Sequence, residues 1–119
     1  MRVKRIRPFL GAKDFDLSRA FYRKLGFREV MISPSLSAFH AEDVWFYLQD
    51  HYVKEWAENT MVFLEVPDLD DWFLALQRWN LPVEFPGTKL SSIREEDWGR
   101  EFFLHDPAGN LWHIGSFES

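Results

Sequence analysis

Four histidines, His40, His51, His105 and His113, are the side chains here best suited to proton transfer or to holding a borderline cation, because imidazole titrates near neutrality and offers a lone pair. No two of them stand four residues apart, so no helical pair of metal ligands is built. His40, His51 and His105, in or beside strand-like segments, read as structural or solvated; His113 is kept as a ligand contact. A second candidate is the acidic run Glu95-Glu96-Asp97 followed by Trp98. A planar ring beside carboxylates suits a flat, cationic guest, through stacking and charge attraction together. With no cysteine in the chain there is no thiolate nucleophile, zinc-thiolate site, iron–sulfur cluster or disulfide framework. No Gly-x-Ser-x-Gly elbow, phosphate loop, dinucleotide fingerprint or calcium loop occurs either.

The elements that must carry these residues follow from periodicity. Val3 to Ala12 alternates as a strand, sending Ile6, Pro8 and Leu10 one way and Arg7, Phe9 and Gly11 the other. Asp16 is read as the cap of a helix from Leu17 to Leu25, with Leu17, Phe21 and Leu25 on one stripe and Gly26 at its end. Phe27 to Ile32, Ser37 to His40 and Val44 to Gln49 are strand candidates. From Met61 the order repeats: a strand to Val66, then Asp68 capping a helix with Leu69, Trp72, Phe73 and Leu76 on its apolar stripe. Val83 to Phe85 reads as a short strand and Pro86 to Gly99 as a long polar loop, long enough to suggest function. Glu101 to His105 and Leu111 to Phe117 read as strands flanking the turn Asp106-Pro107-Ala108-Gly109-Asn110. One constant offset pairs Arg7 with Met61, Phe9 with Phe63, Leu10 with Leu64, Ala12 with Val66 and Asp14 with Asp68.

The chain is therefore expected to be α+β, with two βαβββ modules forming a concave mixed sheet and the helices on its outer face. Its 119 residues suit one domain, spanning 1–119 with modules of about 1–56 and 57–119. Residues turned away from the helices would line the cup: Arg7, Phe9, Trp45, Tyr47, Gln49, Met61, Phe63, Glu65, Leu111 and His113. Twelve Phe, six Trp and three Tyr are more rings than a small core needs, so some must line a groove or an interface. Trp72, Trp79 and Trp112 read as core, and Trp45 as a groove residue. A net charge of −5 repels a phosphate backbone, which argues against nucleic acid. No apolar stretch is long enough to cross a membrane and the N-terminus lacks a signal core, so a soluble, cytoplasmic protein is expected.

Over nearly its full length the chain resembles the glyoxalase, bleomycin-resistance and extradiol-dioxygenase (vicinal oxygen chelate) superfamily. Asp14 to Phe27, with Phe21-Tyr22 and Leu25-Gly26-Phe27, is similar to the first-helix signature, and Asp106 to Asn110 to the last hairpin turn. Trp98 to Asn110, Asn59-Thr60-Met61 leading to Phe63 and Val66, Leu69-Asp70, and Pro8 are similar to the drug-binding bleomycin-resistance branch. Enzymes of the superfamily hold a divalent metal in the cup on His, Glu or Gln. The matching places here are Arg7, Met61, approximately Gln49, and His113, a set that does not suit such a cation.

The resemblance implies a homodimer that sequesters a bleomycin-type glycopeptide, or a similar flat cationic ligand, without chemical change, as in antibiotic resistance, and that needs no cofactor. Phe63 and Trp98 would be stacking walls, Gln49 and His113 polar contacts, Trp45 and Tyr47 groove residues, and Leu36 or Phe39 would come from the partner subunit. Pro8 would mark the hinge of an N-terminal strand exchanged between subunits. The alternative is a metal-dependent lyase or dioxygenase with an altered ligand set, drawn from His113, Glu65 and Gln49.

Overall fold

The structure, a computed structural model, describes residues 1–117. In chain order its elements are β1 (Phe9–Gly11), α1 (Phe15–Lys24), β2 (Arg28–Ser33), β3 (Leu36–Ala41), β4 (Val44–Gln49), α2 (Lys54–Asn59), β5 (Met61–Glu65), α3 (Leu69–Arg78), α4 (Leu81–Glu84), β6 (Lys89–Leu90), β7 (Arg94–Glu96), β8 (Gly99–His105) and β9 (Leu111–Phe117). The first module is βαβββ, and the second repeats the plan with extra short elements between its helix and its last hairpin. Among the described residues no helix is long and apolar enough to cross a membrane.

The strands form two mixed sheets, ordered β1-β4-β3-β2 and β5-β9-β8-β6, with β7 also on β8. Each sheet has one parallel pair, β1 with β4 and β5 with β9, and the remaining pairs are antiparallel. The register superposes the modules: Phe9 stands opposite Tyr47 as Phe63 stands opposite His113. β1 and β5 are edges in both sheets, joined by no ladder among the described residues.

One core spans both modules. Leu10, Phe39, Phe46 and Leu48 from the first sheet meet Phe102, Leu104, Trp112 and Ile114 from the second around the buried faces of α1 and α3. Each such side chain contributes roughly 1.5–3 kcal/mol by leaving water. At its centre Tyr22 of α1 donates to Asp106 Oδ2 at 2.6 Å and accepts from Trp112 Nε1 at 2.9 Å. Asp106 also accepts from the backbone N–H of Ala108 and of Asn110, and from Asn110 Nδ2, which in turn reaches the Gly11 carbonyl. Burial pushes the Asp106 carboxyl up, a cost that these donors partly offset. The β8–β9 turn is thereby tied to β1 and α1.

Several expectations need correction. Asp14, not Asp16, caps α1: its carboxylate accepts from the Leu17 N–H at 3.1 Å, whereas Asp16 lies in the first turn and pairs with Arg19. Only Phe9–Gly11 of the expected first strand finds a ladder partner, and Val3 and Ile6 stay exposed. Val83 belongs to α4, with Phe85 as its C-cap, because Pro82 sits in the first turn where its missing N–H does no harm. The supposed loop carries β6 and β7, both paired with β8, and α2 had no strong apolar stripe to announce it.

On the first sheet Glu29 faces α1 and gathers Arg19, Arg23 and Ser37. Burial alone would raise its carboxyl, but these donors more than reverse that and hold it at about 2.

Candidate functional site

Alternation along the strands sends half of each sheet's side chains away from the core, and these two outer faces differ in chemistry. On the first, Phe9 packs on Tyr47 with ring centroids 4.9 Å apart, and Trp45 stacks on His40 at 4.3 Å and 15°. The Arg7 guanidinium lies 4.4 Å from the Trp45 ring and donates to Tyr47 Oη at 3.0 Å. Arg5 lies 4.7 Å from the same ring. Leu36 and Gln49 are cross-strand partners further along this face. Phe39 is withdrawn as a ligand contact: it is 0% exposed, on the core side against Phe46 and Tyr22.

On the second face Phe63 of β5 is half exposed, with Trp98 at 5.6 Å, Phe117 at 5.8 Å and His113 at 6.4 Å. Trp98 and Phe117 are themselves 5.0 Å apart. Trp98 sits in the tight turn between β7 and β8, presented by a hairpin. Gly115 allows Phe63 to lie across β9, since a methyl there would stand 2.6 Å from Phe63 Cζ. His113 Nδ1 is 2.8 Å from Glu101 Oε1, while its buried Nε2 has no partner among the described residues. A carboxylate that accepts here places a proton on His113 Nδ1, which fixes the ring's orientation. Phe103 closes on the imidazole edge at 4.8 Å. On the same face, burial and nearby Lys89 hold His105 below its ordinary value.

The structure thus brings Phe63, Trp98 and His113 together, and separately Trp45 and Tyr47. A cleft of about 370 Å³ between the sheets is lined by Pro8, Trp45, Phe63, Glu65 and Trp112 among others, so Trp45 and Phe63 share it. Sequence reasoning missed Glu101, Phe103, Phe117 and Arg5. Glu101 and Phe103 were legible in principle, because period two places them opposite Gly115 and His113.

The donor chemistry does not fit a divalent cation. His113, Glu65 and Gln49 are divided between two sheets, Arg7 stands over Trp45 where a first ligand would be wanted, and no three His, Cys, Asp or Glu side chains group as ligands among the described residues.

With this architecture the chain has the fold of paired βαβββ modules seen in solved bleomycin-binding proteins. It is similar in structure to the bleomycin-binding protein of bleomycin-producing Streptomyces verticillus, solved with copper(II)-bleomycin, at 24% identity and a TM-score of 0.81 over 99% of each chain. It is similar also to a lactoylglutathione lyase of Agrobacterium tumefaciens, at 19% identity and a TM-score of 0.73 over 98% of this chain and 100% of that one. A third likeness is to a genomically encoded fosfomycin resistance protein of Listeria monocytogenes, at 16% identity and a TM-score of 0.76 over 99% and 96% of the two chains. No protein-family model and no curated protein sequence matches the chain.

Proposed function

We propose that this protein is a homodimeric binding protein that sequesters a bleomycin-type glycopeptide, or a similar flat cationic ligand, without chemical change. The observation that carries this reading is the open ring cluster Phe63–Trp98–Phe117, backed by His113, whose buried Nε2 has no hydrogen-bond partner among the described residues. Exposed rings stack on a planar guest at about 0.5–1.5 kcal/mol each beyond area burial. The carboxylates Glu95, Glu96 and Asp97 near Trp98 favour a positive group at its end, and Gln49 and Leu36 would contact the rest of the guest from the other sheet.

Dimerisation is supported by the open sheet edges at β1 and β5, and by the exposed apolar residues Phe9, Met61 and Phe63 on or beside them. Exchange of residues 1–7, hinged at Pro8, would give the exposed Val3 and Ile6 a partner and would seat Arg5 and Arg7 on the equivalent tryptophan of the second copy. The same reading sets the capture in the cytoplasm.

The test is titration with bleomycin while tryptophan fluorescence is followed, with sedimentation to establish the dimer and recovery of the drug to establish that it is intact. Saturable quenching at micromolar drug is expected; a folded dimer that shows none ends the reading. Metal analysis is the companion measurement. A divalent ion held tightly at one per subunit would shift the reading to the metal-dependent enzyme.

A further inference from the structure

The basic N-terminal run has no part in stacking on Phe63 or Trp98, yet it is not idle. Arg5 and Arg7 both lie within 5 Å of the centroid of one ring, that of Trp45, at 4.7 and 4.4 Å. Neither has a carboxylate partner among the described residues. Two like charges held on one ring repel each other, and the ring's quadrupole offsets that only in part. Their surroundings add more positive character. Arg28 stands opposite His40 on the same outer face, and His40 stacks on Trp45. The cross-strand registers put no Asp or Glu on the outer side of β1, β2, β3 or β4. Glu65 shares the cleft with Trp45 and Glu42 lies with Arg28 and His40, but neither forms an ion pair with Arg5 or Arg7.

The geometry of a stacked guanidinium decides what can bind there. Stacking engages the flat face, and the five N–H donors lie in the plane around its edge. Arg7 gives one of its donors to Tyr47 Oη and retains the others. Two such edges on the face that also exposes the ring of Phe9 form a fork for an anionic group attached to a flat ring.

We infer that Arg5 and Arg7, mounted on Trp45, are a subsite for the anionic end of a planar ligand, an aromatic carboxylate in its simplest form. This deepens the binding reading above, since it rests on the same groove and assigns opposite charge preferences to its two walls.

The experiment compares 2-naphthoate with its uncharged counterpart 2-naphthamide, following tryptophan fluorescence in the full chain and in an R5Q/R7Q variant. The native protein is expected to bind naphthoate about tenfold or more tightly than the amide, as charge-assisted hydrogen bonds provide. In the variant the preference should fall to within about twofold. Equal binding of the two probes by the native chain overturns the inference, including the case in which carboxylates of a second copy already neutralise the arginines. So does a preference that survives in the variant. Both arginines lie outside the core, and a thermal melt matched to that of the native chain verifies the variant's fold. Failure here is separable from failure of the drug-capture reading. Bleomycin quenching with no naphthoate preference removes only the anion subsite, and the converse result removes only the drug.

Discussion

The two outer faces share a topology and a register, yet they carry opposite chemistry. Phe9–Tyr47 on one sheet and Phe63–His113 on the other occupy equivalent positions. Around the first pair the chain gathers Arg5, Arg7 and His40; around the second it gathers Glu101, Trp98 and Phe117. The lesson is that a repeated fold dictates where a groove lies and leaves its preference to the few side chains that point outward. Toward the core the modules converge instead on large apolar residues, because there both sheets must fill one volume.

Substitutions can break or sharpen this contrast, and the largest effect is expected at the joint between the modules. Asp106→Ala leaves the Tyr22 hydroxyl, two backbone N–H groups and Asn110 Nδ2 without their acceptor in the interior. The expected loss is about 3–5 kcal/mol of unfolding free energy in a urea titration, and both faces should fail together. A loss below about 1 kcal/mol would mean that the joint does not couple the modules.

Glu29→Gln should act on the first sheet by itself, at a cost of about 2 kcal/mol, since Arg19 and Arg23 lose their counter-charge. Its pH signature has a definite sign. The folded-state value of about 2 lies below the ordinary carboxyl value of 4.5, so the stabilisation is complete above pH 4.5 and is lost as pH falls toward 2. The native chain should therefore lose more stability than the Gln variant across that window; parallel acid titrations of the two would show Glu29 to be silent.

Smaller still, and most diagnostic of the contrast, is the pair Trp98→Ala and Trp45→Ala. Loss of Trp98 should weaken bleomycin binding about tenfold, and loss of Trp45 by less than about threefold, with the fold intact in both. Equal losses would merge the two faces into one undivided site.

Much of the architecture was legible because its causes are local. The stripes Leu17–Phe21 and Leu69–Trp72–Phe73–Leu76, the cap at Asp68 and the turn Asp106–Asn110 each declare themselves within a few residues. What misled was local as well. Asp14 and Asp16 are equally good caps on paper, and only the reach of the Asp14 carboxylate to the Leu17 N–H separates them. Val83 has strand propensity but follows Pro82 into a short helix, and Lys89–Leu90 becomes a strand because β8 has an open side. Of the candidate site, strand alternation was enough for Phe63, Trp45, Tyr47 and His113 to be assigned to outer faces. Phe39 was lost from it because one step of register separates groove from core.

By itself, then, the amino-acid sequence determined the twofold βαβββ plan, the apolar stripes and the excess of rings, since these depend on spacing along the chain. Only the tertiary structure decided that Glu101 orients His113, that Gly115 makes room for Phe63, and that Arg5 and Arg7 share one ring of Trp45. Those contacts join residues distant in sequence, and their energy depends on distance and direction in space, which no local pattern encodes.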